Sequence, residues 1–138
     1  MVTEDYVSFE TAKLLKEKGF DGLCRAFWKE FDGEVNLCDC NSSHKFEYCH
    51  NTMLDGYNDS EETNIAAPTL QMAMKWLRDI HNLHIAVIVA YHHIPRRYEA
   101  HIMKLENIDD FILHPQVDFD SYEDACEAAI KYCLENLI

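Results

Sequence analysis

Apolar and polar positions recur along this chain with two periods, one of three to four residues and one of two. Phe9, Ala12 and Leu15 share one face of a helix that Ser8 caps at its start. Lys16 and Lys18 suit the negative end of its dipole, Gly19 takes the C′ position, and Phe20 is the apolar residue just beyond. A second helix starts near Pro68. Its stripe is Leu70, Ala73, Met74, Leu77 and Ile80, widened by Met72 and Trp76. The last helix is the best marked: Ser121 and Asp124 have N-cap and N3 spacing, and an apolar stripe runs from Tyr122 through Ala125, Cys126, Ala129, Ile130, Cys133 and Leu134 to Leu137.

The period of two dominates between the first and second helices. Asp32-Gly33, set between two alternating runs, predicts a two-residue hairpin that pairs Phe31 with Glu34, Lys29 with Asn36, Phe27 with Cys38 and Arg25 with Cys40. Trp28 is set opposite Val35, with Leu37 close by. A four-residue loop "NSSH" then predicts a third strand in which Glu47 faces Cys38 and Cys49 faces Asn36. In that register Cys24, Ala26, Trp28, Val35, Leu37, Phe46, Tyr48 and His50 form the core face. Phe27, Cys38, Cys40 and Cys49 fall on a mixed, half-solvated face. Residues 51–66, polar and acidic, read as a long surface loop. After the second helix, "LHIAVIVAY" is nearly all apolar and reads as a buried central strand. Pro95 helps turn the chain, "YEAHIMKLE" returns antiparallel, and "NIDDFILHPQVDF" adds at most a short edge strand. The order is α-β-β-β-α-β-β-(β)-α. It predicts an α+β fold of two layers, an antiparallel sheet covered by helices.

Three stretches, "EDYVSFETAKLLKEKGFD", "APTLQMAMKWLRDIHNLHI" and "SYEDACEAAIKYCLENLI", resemble a family of small uncharacterised proteins from gut bacteria and their phages and mobile elements. The resemblance covers about half of the chain and is carried by its helices. It implies an intracellular accessory role, linked to phage or mobile elements. The family has no established activity, so it assigns no functional residue.

Composition narrows the range of partners. With 138 residues, 48% of them apolar, the chain fits a single domain spanning residues 1–138 with one core. Twelve Lys and Arg against 25 Asp and Glu give a net charge of −13. Direct binding to nucleic acid is therefore not expected, because it depends on cations displacing phosphate counterions. The acidic surface favours a basic partner, or an acidic mimic of nucleic acid that blocks a DNA-binding protein. No stretch resembles an export signal and the longest apolar run is far too short to span a bilayer, so a cytoplasmic protein with no membrane partner is expected. Its six cysteines are then expected to be reduced.

The densest chemistry is "CDCNSSHKFEYCH", from Cys38 to His50. In the register above, Cys38, Cys40 and Cys49 share a face, and Cys49 lies diagonal to Cys38, within roughly 7 Å. His44 in the loop completes a four-ligand set for zinc, the one cofactor the sequence suggests. The C-x-C spacing and the missing second C-x-x-C pair favour free thiols instead. His50 points to the other face, so it is a poor base for Cys49. Cys126, Cys133 and Cys24 read as small core residues. The only local cationic cluster is His92, His93, Arg96 and Arg97, at a hairpin tip. It is a candidate grip for a small anionic ligand or for an acidic patch on another copy, set against a plain solvated turn. His81 and His84 read as cap or core histidines. None of the four glycines forms a phosphate-cradling loop. The sequence therefore points to a non-catalytic binding or accessory protein, with a protein partner or a second copy of itself. A zinc module and an acidic nucleic-acid mimic are the alternatives.

Overall fold

The helix ends follow the punctuation in the sequence. In the computed structural model, which describes residues 4–42, 46–90 and 95–138, apart from the side chain of Ile108, helix α1 spans Phe9–Glu17. The Ser8 hydroxyl accepts from the Thr11 amide at 3.2 Å. At the other end Phe20 N–H donates to Leu15 O and Gly19 N–H to Lys16 O, the paired bonds of a Schellman cap, with Gly19 at φ 92° and Phe20 buried. Helix α4, Tyr122–Asn136, starts with Asp124 N–H donating to the Ser121 hydroxyl at 3.0 Å.

The fold is α+β, with four helices and two three-stranded antiparallel sheets among the described residues. Contacts within the chain fall into two compact units, Met1–Thr69 and Leu70–Ile138. In the first unit β1 (Ala26–Phe31) and β2 (Glu34–Asp39) form the expected hairpin, with Phe27 opposite Cys38 and Lys29 opposite Asn36. Asp32 and Gly33 both have positive φ, 51° and 78°, as a type I′ turn requires. Trp28 faces Leu37 rather than Val35, which instead faces Glu30.

The third strand is not where the hydrophobic pattern sets it. Residues 46–50 make a single bridge, Cys49 to Cys24, and no strand. The acidic segment expected to be a loop supplies helix α2 (Asn51–Asp55) and strand β3 (Glu62–Ala66), which joins the other side of β1 to give the order β2-β1-β3. The Trp28 face of this sheet receives α1 through an edge-to-face contact of Phe9 with Trp28, whose indole N–H donates to Val7 O at 2.9 Å. The Phe27 face is covered by Phe46 and by Leu54 of α2. The two faces expected from the sequence are therefore revised: Val35 and Leu37 are exposed, while Phe27, Cys40 and Cys49 are buried.

In the second unit α3 (Leu70–His81) and α4 pack on a sheet of β4 (Leu83–Ala90), β5 (Arg97–Lys104) and β6 (Asn107–Leu113), in the order β4-β5-β6. Leu77, Ile102, Ile130 and Leu134 are fully buried there. Asn82, in the left-handed region at φ 56°, ends α3 and turns directly into β4. Two expectations change in this unit. Ile80 is exposed. The apolar run "LHIAVIVA" is an edge strand rather than a central one, with Ile88 and Val89 exposed.

Candidate functional site

Among the described residues the proposed zinc ligands Cys38, Cys40 and Cys49 do not form one cluster. Cys40 and Cys49 come together at one end of the first sheet, and Cys24 joins them. The Cys24 and Cys49 backbones exchange hydrogen bonds at 2.7 and 2.8 Å, and Cys40 N–H donates to Arg25 O. The Cys40 and Cys49 thiols are neighbours, the first reaching Cys24 O at 3.9 Å and the second Ala26 O at 3.3 Å. All three side chains are buried. Burial, reinforced by the neighbouring Cys40, pushes the Cys24 thiol up to about 12, and burial also raises Cys40 and Cys49. These groups are protonated packing thiols at neutral pH.

Cys38 sits elsewhere. It stands opposite Phe27 in the ladder, half-buried, and lines a cleft with Phe27, Lys29, Phe46, Leu54 and Tyr57. The cleft is mainly apolar and encloses about 100 Å³, well under the roughly 300–1,000 Å³ of sites built for drug-sized ligands. His44 lies outside the described residues, among which no group of three or more His, Cys, Asp or Glu is placed to hold a metal ion. His50, set aside as a ligand by strand alternation, instead hydrogen-bonds Asp21 at 3.0 Å.

The cationic cluster is only partly described, because His92 and His93 lie outside the described residues. Arg96 is exposed. Arg97, the first residue of β5, pairs with the Asp120 carboxylate at 3.3 Å, so its guanidinium is engaged within its own unit. His81 stacks edge-on against Trp76 at 4.6 Å, and its buried Nε2 has no hydrogen-bond partner among the described residues.

The feature the sequence reading missed is the state of the sheet edges. Most outward backbone groups of β3 are closed by Asn51, Asn58 and Asp59. Asn58 accepts from Asn64 N–H at 2.6 Å and donates to Asn64 O, imitating a strand residue. Asn51 accepts from Ala66 N–H at 2.9 Å while donating to Phe20 O at 2.8 Å. Asp59 N–H closes Glu62 O. Asn51 and Asn64 are buried with these bonds made, the condition under which buried amides are tolerated. Asparagines in a polar stretch read as loop, and nothing in their spacing distinguishes a sealed edge from a surface turn.

The edge of β2 differs. Cys40 N–H donates to Arg25 O, which places the odd residues of β1 toward β2 and leaves Val35, Leu37 and Asp39 with outward groups. No described residue pairs with them, and Val35 and Leu37 are exposed. In the second unit His114 N–H donates to Ala100 O, so Ala100 faces β6, and its opposite number Val87 faces away from the sheet. By alternation Leu83, Ile85 and Val89 do the same, again with no partner among the described residues.

The chain matches no family model, no curated protein and no solved structure. Among the described residues no helix is long and apolar enough to cross a membrane.

Proposed function

We propose that this chain is a non-catalytic cytoplasmic binding or accessory protein whose partners are polypeptides, including a second copy of itself. The observation that carries this reading is the contrast between sheet edges. One edge of the first unit is closed by the Asn51 and Asn58 side chains and by Asp59, whereas β2 and β4 keep outward backbone groups and exposed apolar side chains. Open edges are templates for another strand, and native proteins block those they do not use. The thiols fit the same reading: Cys126 and Cys133 are pushed up to about 11 and about 12 by burial in α4, as suits packing groups rather than nucleophiles. A role linked to phage or mobile elements rests on the resemblance of the helices alone.

A sizing column combined with a tagged-chain pull-down tests this reading. It expects a species larger than one chain, or a partner that co-purifies in fixed ratio. A strict monomer that retains no partner contradicts it.

One observation favours a second reading. The neighbouring Cys40 and Cys49 thiols preserve half of a zinc set that also needs Cys38 and His44. Elemental analysis of protein purified without chelator decides it. A structural site requires close to one equivalent of zinc, and less than about a tenth contradicts it.

A further inference from the structure

Among the described residues four strands end the two sheets, and three of them carry features that disfavour pairing with a second acidic copy. On the outer side of β3 the Glu62, Asn64 and Ala66 amides and the Glu62 and Asn64 carbonyls are already satisfied by Asn51, Asn58 and Asp59. Strand β2 carries Glu34 and Asp39. Strand β6 carries Asp109 and Asp110, and its ladder with β5 is irregular at Met103/Lys104. Charges and irregularities of this kind are how natural sheets keep edges from associating. Strand β4 has none of them. Leu83–Ala90 is eight residues long, pairs with β5 in unbroken register, and contains no Asp, Glu, Lys or Arg in a chain that has 37 of them.

We infer that β4 is the surface through which two copies of this chain associate, antiparallel and edge to edge, joining two three-stranded sheets into one of six strands. The inference rests on the self-association proposed above and names its site.

Charge selects the occupant. Two copies at −13 each repel, and an edge that brings carboxylates face to face would cost binding. Strand β4 is the edge on which two acidic copies meet without opposing charges. A basic peptide would find no carboxylate on this strand to recognise, whereas β2 and β6 would offer one.

Register follows from the outward groups. Centring the two-fold axis on Ala86 sets Leu83 against Val89 of the other copy and Ile85 against Val87. All four outward residues of each copy then make ladder bonds. Ala86 meets its own counterpart at the axis, in a non-hydrogen-bonded position where side chains approach most closely. On that face His84 lies beside Ile88 of the other copy, covering an exposed isoleucine.

A charge swap at Ala86 tests the inference. Ala86 is half-buried, on the face opposite the buried Ile85 and Ile102, so a longer side chain leaves the helix-packed core alone. Sedimentation velocity on the full chain is expected to give twice the 16.1 kDa chain mass. A86E and A86K, with circular dichroism spectra matching the parent, are each expected to run as monomers, because like charges meet at the axis. Mixed in equal amounts, they are expected to restore the doubled mass. If the parent is dimeric and both variants remain so, the β4 edge is overturned while self-association stands. If the parent stays monomeric at every concentration, the β4 pairing and the self-association behind it both fail, and the polypeptide-binding reading then depends on a partner captured in fixed ratio.

Discussion

Asp21 shows how one carboxylate organises a segment that carries no strong sequence signal. Its two oxygens accept from the Thr52 amide and hydroxyl, each at 2.8 Å, and it meets His50 at 3.0 Å, which fixes the start of α2. The Thr52 amide hydrogen bond is the main cause that lowers its pKa from the ordinary 3.8. A carboxyl lowered on folding stabilises the native state above its unfolded value and loses that contribution as pH falls through the folded one. Stability is therefore expected to drop as pH is taken below 3.8, and D21N, which cannot titrate, is expected to show a shallower drop across the same window in urea titrations. Equal slopes would contradict the assignment. The thiols give a second residue-scale expectation. Five of the six are buried and Cys38 is half-exposed, so a thiol reagent under native conditions is expected to label Cys38 first, and C38S to abolish the fast phase. Fast labelling of Cys40 or Cys49 would mean that their end of the sheet opens readily.

At the scale of elements, the asparagine seal on β3 is the feature with the clearest energetic consequence. N58A leaves the Asn64 amide and carbonyl without their partner and is expected to cost about 1–3 kcal/mol in denaturant unfolding. A change within a few tenths of a kcal/mol would show that water replaces the amide freely. The same strand marks where the sequence stopped being legible. Local signals were reliable: the Asp32-Gly33 turn, the Ser8 and Ser121 caps and the Gly19 terminus all depend on neighbours a few residues away. Strand β3 was invisible because "ETNIA" has little alternation to separate it from loop, and it forms by pairing with β1 across more than thirty residues. The position of β3 beside β1 also changes the neighbours of Cys49. With residues 46–50 read as a strand beside β2, Cys49 falls next to Cys38. In the structure Cys49 bridges Cys24, and Cys38 looks into a separate cleft. The run in β4 is ambiguous for a related reason: a continuous apolar run is what a buried central strand contains, and it is also what an edge contains when another strand is meant to cover it.

At the scale of the molecule, net charge opposes association and the bare β4 edge permits it. Self-repulsion at −13 weakens both the folded chain and any pair of chains, and salt screens it over about 8–10 Å. Raising ionic strength is therefore expected to increase the melting temperature and to tighten the dimer together. Weakening of the dimer by salt would point instead to an interface held by opposite charges, such as the acidic β2 edge with a basic partner. The α+β class followed from the sequence. Its division into two sheets did not, because each short strand was compatible with either neighbour until pairing decided.

The most direct measurement is amide hydrogen exchange along β4, followed by NMR at two protein concentrations. The Ile85 and Val87 amides point out of their own sheet, whereas the Asn64 and Ala66 amides are held by side chains of their own chain. Pairing of two β4 strands is expected to slow exchange at Ile85 and Val87 as concentration rises, while Asn64 and Ala66 stay protected throughout. Rapid exchange at Ile85 and Val87 in a sample that sedimentation shows to be dimeric would contradict the β4 interface.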